Sequence, residues 1–268
     1  STLMRSSAAS DVYKRQNIIV AVDHAIDVIE YLFSVKQEAS IREISVATGM
    51  SNSSVHRQLL TLKERGYVYQ NPETLKYWLG MRFYALGNLV KSNMPLVNLL
   101  SAALDALAEK YGLTTYLVLP DYSSDLCAQQ AIVYKKNCCP MMLRNESSIG
   151  TILLSHASAT GKCMLAYYPE TLIEKYRKHP LVKLTDNTIT DWNTLLAECA
   201  TIRSRGYALD SEEELLGRTC LAVPVLNSQN EIIASISLSG QTKSIFEHPV
   251  NQLVDDLLSV AAIAVRQM

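Results

Sequence analysis

The order of apolar and polar positions divides the chain into an N-terminal run of helical periods and a C-terminal stretch where strands and helices mix. Val22, Ile26, Ile29 and Phe33 recur at helical spacing, and Asp23 stands where a first-turn cap belongs, which predicts a helix over about 23–35. Ser40-Ile41-Arg42-Glu43 has the form of a capping box, in which serine and glutamate each satisfy a free backbone donor, and opens a short helix closing before Gly49. After the turn Thr48-Gly49-Met50-Ser51, a third helix is predicted from Ser51 or Asn52 to Arg65, burying Val55, Leu59 and Leu62, with Gly66 as its stop. Tyr67–Gln70 and Leu75–Leu79, two β-rich runs around Asn71-Pro72-Glu73-Thr74, predict a hairpin.

Beyond the hairpin, Met81–Ser92 and Pro95–Lys110 read as two helices, the first a connector and the second carrying Leu96, Leu100, Ala103 and Leu107 on one stripe. Strands are predicted at Thr114–Leu119, Asp125–Val133, Thr219–Leu226 and Glu231–Ser239, with a polar turn at Asp121–Ser124 and a hinge at Asn227–Asn230. Helices are predicted at about 158–167, 170–178, 191–205 and 249–266. The expected fold class is therefore α+β, a helical N-terminal unit followed by an antiparallel sheet flanked by helices.

Two short helices joined by a glycine-bearing turn form a helix-turn-helix, whose second helix fits the DNA major groove, and the hairpin behind it is then a wing. Subtracting the buried positions leaves Asn52, Ser53, Ser54, His56, Arg57 and Gln58 at the start of that helix, donors and amides suited to phosphates and base edges. Ser40, at the head of the preceding helix, and Lys76, in the hairpin, complete the candidate DNA contacts. The same side chains would equally suit an ordinary solvated helix face; the full series of helices, turn and wing within about 60 residues favours DNA.

Composition adds limits. At 268 residues, 48% hydrophobic and 19% charged, the chain suits two globular domains and excludes a disordered or fibrous protein. Net charge is −1, so it is no nonspecific nucleic-acid coat. Residues 1–80 carry nine basic and eight acidic side chains, 81–268 sixteen and eighteen, a weak tilt toward DNA at the N-terminal end. The longest apolar stretches fall short of a bilayer span, so no membrane is expected, and residues 1–17 lack an apolar signal core and read as a disordered tail. Six cysteines (Cys127, Cys138, Cys139, Cys163, Cys199 and Cys220) without a CxxC pair point to free thiols in a reducing cytoplasm rather than a zinc ribbon.

The segments AVDHAIDVIEYLF, IREISVATGMSNSSVHRQLLTLKERGYV and YWLGMRFYALG resemble the DNA-binding domain of IclR-type transcription regulators. HASATGKCML, TITDWNTLLAECATIRSRGYALDSEEELLGRTCLAVPV and IIASISLSG are similar in order and spacing to that family's effector-binding domain, which has a GAF-like fold. The resemblance implies a winged helix-turn-helix domain over 18–80, a linker helix over 81–94 and a GAF-like effector-binding domain over 95–268. It implies a homodimer, or a dimer of such dimers, on a roughly palindromic double-stranded operator, with repression as the commoner output. The effector, a small organic, sugar or aromatic acid, would be lined by Ala159, Thr160, Asp210, Cys220, Ser237 and Ser239. The chemistry is sensible on its own terms. Free N–H groups around Ser158–Gly161 suit an anion, and Ser237 and Ser239 share a strand face. The family commonly has small glycine and alanine residues where Ala159 and Thr160 stand, so the added methyl and hydroxyl reshape the pocket.

Each of these residues also has a structural reading, as a cap, a buried apolar residue or a turn former. Two other classes compete. An enzyme would use His156, Asp210 and Cys220, the residue types of nucleophile and base, although no nucleophile elbow, phosphate loop or zinc-hydrolase pattern accompanies them. A metal sensor would use Cys138, Cys139 and His156, but adjacent cysteines suit one tetrahedral ion poorly. No catalytic residue, metal or cofactor is expected.

Overall fold

A computed structural model describes residues 19–120, 129–137 and 147–267. The expected tail at 1–17, the turn at 121–124, the start of the second predicted strand, and Cys127, Cys138 and Cys139 lie outside the described residues. The chain forms two compact units, divided between Asn93 and Met94. No helix among the described residues is long and apolar enough to cross a membrane.

The first unit holds α1 (Val20–Val35), α2 (Ile41–Thr48), α3 (Asn52–Glu64), the hairpin β1 (Val68–Gln70) and β2 (Tyr77–Leu79), and α4 (Met81–Ser92). Helix α1 begins three residues before the predicted start. Its N-cap is Ile19, without a side-chain cap bond, and Asp23 lies inside the first turn, so Asp23 is not the cap. At α2 the capping box is complete: Ser40 Oγ accepts from the Glu43 N–H at 3.3 Å, and Glu43 Oε2 accepts from the Ser40 N–H at 2.7 Å. Gly49 ends α2 at φ 73°, where a side chain would be strained, and its N–H bonds the Ser45 carbonyl. Ser51 then caps α3.

Val28 and Leu32 of α1, Ile44 of α2, Val55, Leu59 and Leu62 of α3, and Val68 and Tyr77 of the hairpin make one buried core. Each aliphatic side chain so buried contributes about 1.5–3 kcal/mol, enough to fix α3 against its neighbours. Of the predicted stripe, Ile29 is half-buried against this core, whereas Val22, Ile26 and Phe33 are exposed, because α1 turns Val28 and Leu32 inward. Glu38 anchors the wing tip, accepting from Asn71 Nδ2 and Thr74 Oγ1, both at 2.8 Å. These bonds, Asn71's first, hold its carboxyl below the usual range.

The second unit runs α5 (Pro95–Tyr111), β3 (Thr114–Pro120), β4 (Gln129–Lys136), β5 (Ile152–Leu154), α6 (Ala159–Tyr167), α7 (Glu170–Tyr176), α8 (Trp192–Arg205), β6 (Ala208–Ser211), β7 (Arg218–Leu226), β8 (Ile232–Gln241), α9 (Thr242–Phe246) and α10 (Val250–Gln267). The strands form one antiparallel sheet in the order β5-β4-β3-β8-β7-β6. Alternation along β7 and β8 sends Leu221, Val223, Val225, Ala234, Ile236 and Leu238 into a core with α5 and α10. The opposite face packs Tyr116, Val118 and Ala222 against α6, α7 and α8. This is the expected α+β arrangement. Short β5, β6 and α9 were not predicted from the sequence.

Candidate nucleic-acid interface and effector site

Four of the eight DNA candidates, Asn52, Ser53, His56 and Arg57, stand exposed on the first turns of α3. They are held outward by Val55, Leu59 and Leu62 on the reverse face. Ser54 and Gln58 are half-buried, and the Ser54 hydroxyl turns toward the Met50 sulfur at 4.0 Å. Ser40 spends its hydroxyl on the α2 cap. Together with Arg42, Glu43 and Lys76 it borders an open groove, where Lys76 Nζ lies 3.7 Å from Glu43. The structure thus gathers the candidates into two clusters, one on the leading helix face and one at the α2 terminus beside the wing.

In the second unit the sheet register places Asp210 opposite Cys220 and Cys220 opposite Ser239, a row across three strands. Ser237 lies in the next row, opposite Ala222 and Tyr116. Above this face sits a small cavity of about 20 Å³, far below the roughly 300–1,000 Å³ of small-molecule sites, so a ligand enters it as lining side chains give way. Thr160, Cys220, Ser237 and Ser239 line it; Ala159 and Asp210 do not. Tyr116, Val118, Ile132 and Leu153 supply an apolar wall, and Glu214 and Arg218 a charged end. The reading from sequence missed Arg218, although it lies two residues before Cys220 and so shares its strand face. Ser237 Oγ is buried without a hydrogen-bond partner, and the Cys220 thiol lies beside it.

The start of α6 is tightly determined. Ser158 Oγ accepts from the Gly161 N–H at 3.2 Å and from Gln130 Nε2 at 2.7 Å, so the serine serves as a cap and the Gly161 amide is already used. Gln130 Oε1 is buried and unpartnered. Behind the cavity, the buried Lys162 ammonium is paired with Glu213. Asp210 Oδ1 accepts from the Glu213 N–H at 2.7 Å, whereas Oδ2 is buried without a partner.

Burial, reinforced by the neighbouring Glu213 and Glu214 charges and opposed by the Glu213 N–H bond and by Lys162, pushes the Asp210 carboxyl up to about 7. An unfolded aspartate titrates near roughly 4. Between those values the folded chain holds a proton that the unfolded chain has released, so this carboxyl contributes a stability that fades as pH rises. Unfolding of the second unit is therefore expected to require less denaturant at pH 7.5 than at pH 5. Asp210→Asn should flatten that difference, and an unchanged slope would show that Asp210 is ionised throughout.

The residues of the enzyme alternative are otherwise occupied. His156 Nε2 lies 2.9 Å from the Val182 carbonyl and so donates to it, while Nδ1 accepts from the Tyr176 hydroxyl at 2.7 Å. This is a neutral, structural imidazole whose pKa burial lowers. Burial pushes the Cys220 thiol up to about 12, far from a thiolate nucleophile. No metal-binding group of His, Cys, Asp and Glu occurs among the described residues. The two adjacent cysteines of the metal-sensor alternative lie outside them.

Known proteins agree with this organisation. Residues 21–72 match the IclR helix-turn-helix domain, and residues 89–265 match the bacterial transcriptional regulator IclR C-terminal domain. The HTH-type transcriptional regulator XynR of Escherichia coli is 33% identical over 232 residues, covering 85% of this chain and 88% of that protein. The E. coli DNA-binding transcriptional repressor YiaJ is 30% identical over 236 residues, 87% of this chain and 82% of its own length. An IclR homologue from Microbacterium hydrocarbonoxydans, crystallised with 4-hydroxybenzoate, superposes with a TM-score of 0.78 at 21% identity, covering 92% of this chain and 98% of that one, and so shares the fold. With both domain matches in chain order and regulators as its relatives, the chain belongs to the IclR family of bacterial transcriptional regulators and carries that family's helix-turn-helix DNA-binding domain.

Proposed function

We propose that this regulator acts in the cytoplasm as a homodimeric repressor, reading a double-stranded operator with α3 and releasing or retaining it according to a small carboxylate effector in the second unit. The observation that carries the reading is the pairing of an outward polar face, Asn52, Ser53, His56 and Arg57, with a cavity into which the unpartnered Ser237 hydroxyl faces. Arg57 is suited to a bidentate contact with guanine or phosphate. Thr160, Cys220, Ser237 and Ser239 would contact the effector, with Ala159 and Asp210 behind them. The aromatic acid bound by the Microbacterium homologue, and the name of YiaJ as a repressor, support the effector class and the sign of regulation.

The second copy is supported by apolar surface that a monomer would leave in water. On α1, Val20, Val22, Ile26 and Phe33 are exposed, and α4 exposes Met81, Tyr84, Leu89 and Val90 while burying nothing. Patches of this kind mark protein interfaces. A dimer would present two α3 helices to successive major grooves about 34 Å apart. Effector occupancy then acts by shifting the population of dimers with that spacing.

Selection of duplexes from a random pool by the purified chain tests this reading. Two related half-sites one helical turn apart are expected, bound with an affinity that falls steeply with salt through phosphate contacts. Recovery of an unenriched pool would overturn it.

A further inference from the structure

We propose that Arg218 is the seat of the effector's carboxylate and that Glu214 is a built-in competitor for that seat, so the site selects small carboxylic acids that can displace a carboxylate the chain itself supplies. The proposal rests on the reading of the cavity as the effector site and names the group that recognises the ligand there.

Arg218 opens β7, and alternation turns it to the same face as Cys220. Among the described residues lining the cavity it is the one cation, and its side chain is only 7% exposed. A cation so buried requires an anion beside it. Glu214 provides one, with Oε2 2.8 Å from Arg218 Nη2, but this carboxylate is 23% exposed and is the partner nearer to water. Lys162, also a buried cation, already has Glu213, so Glu214 is not needed there.

Exchange of one carboxylate for another is possible without moving the backbone. The loop between β6 and β7 is fixed from three sides: Thr185 Oγ1 donates to the Glu212 carbonyl at 2.7 Å, Thr188 Oγ1 donates to the Glu213 carbonyl at 2.6 Å, and Asp210 accepts from the Glu213 N–H. Rotation of the Glu214 side chain toward water therefore frees the guanidinium fork, which holds an incoming carboxylate by two parallel bonds. The buried charge balance is the same before and after. A neutral ligand of the same shape cannot make this exchange, because displacing Glu214 would strand Arg218 without an anion.

The rest of the cavity defines the rest of the ligand. Tyr116, Val118, Ile132 and Leu153 accept an apolar or aromatic body. Ser237 Oγ, lacking a hydrogen bond of its own, meets one hydroxyl or keto oxygen. The class is thus a short carboxylic acid with an apolar or aromatic frame and one further oxygen.

Calorimetric titration of the full chain with matched pairs tests the exchange: benzoate and benzamide, 4-hydroxybenzoate and 4-hydroxybenzamide, pyruvate and pyruvamide. At least one carboxylate is expected to bind Glu214→Gln tenfold or more tightly than wild type, while its amide binds both alike. Arg218→Gln should lose carboxylate binding. The double variant Glu214→Gln/Arg218→Gln, which leaves no unpaired charge, should fold and show no preference between acid and amide. Carboxylate binding that survives Arg218→Gln but is lost in Ser237→Val would overturn the assignment of Arg218 while leaving the cavity as the effector site. Binding that survives both would overturn the cavity reading as well. Failure of every carboxylate to bind either wild type or Glu214→Gln at millimolar concentration would also overturn the proposal, since a guanidinium relieved of its competitor must take one.

Discussion

Gly161→Ala is expected to destabilise the second unit by about 3 kcal/mol or more, lowering its melting temperature by roughly 6–12 °C. A Cβ at this position would stand 2.3 Å from Ser155 Cα and 2.4 Å from the Ser155 carbonyl oxygen, with Gln130 Nε2 equally near. Two of those neighbours are backbone and cannot rotate away. Relief requires α6 to lift from the segment before it, and the Ser158 cap, its bond from Gln130 and the cavity wall at Thr160 would move with it. Calorimetric melting of the full chain checks this. The transition of the first unit, whose core shares no residue with this site, should stay in place. A variant melting like wild type would mean that α6 packs less closely than these distances state.

Lys162→Met is expected to cost about 3–5 kcal/mol, because it leaves Glu213 buried without its counter-ion. The side chains of Lys162 and Glu213 are 1% and 9% exposed, so water cannot screen the remaining charge. Asp210 receives the Glu213 N–H and would sit beside the uncompensated carboxylate. Lys162→Met/Glu213→Leu removes both charges and should recover most of the loss, since apolar replacement of a buried pair is often neutral or favourable. Urea unfolding of the second unit measures both. Equal losses in the single and double variants would contradict the pairing and leave volume as the cause.

Much of the first unit was legible because its signals are local. The Ser40–Glu43 box, Gly49 at positive φ and the Ser51 cap are each written in a few adjacent residues, and each fixes a helix end independently of the rest. The start of α1 was misread for the same reason, since Ile19 caps it without a side-chain bond and Asp23 offered the familiar signal three residues late. Periodicity also chose the buried face of α1 only in part, catching Ile29 but not Val28 and Leu32. That helix has apolar residues on two faces, and spacing alone does not say whether Val22 and Ile26 or Val28 and Leu32 meet the chain's own core. In the second unit the long strands and helices follow from alternation and caps, but β5 and β6, at three and four residues, are too short to show a period.

The candidate site divides similarly. Ser237 and Ser239 share a face by strand alternation, and the same rule applied to β7 would have added Arg218 two positions before Cys220. Glu214 had no such signal. It reaches the cavity from a loop whose course is set by contacts with Thr185 and Thr188, residues 25 or more positions away. Asp210 lies opposite Cys220 on β6, a strand the sequence did not reveal, and it turns to the loop amides rather than into the cavity.

The measurement that bears most directly on the central claim is titration of a selected duplex with wild type and with Arg57→Ala at fixed salt. The exposed position of Arg57 on α3 predicts a loss of roughly 1–3 kcal/mol, about tenfold or more in affinity at a full base contact. Equal affinity of the two chains for that duplex would contradict the assignment of the outward face of α3 as the surface that reads DNA.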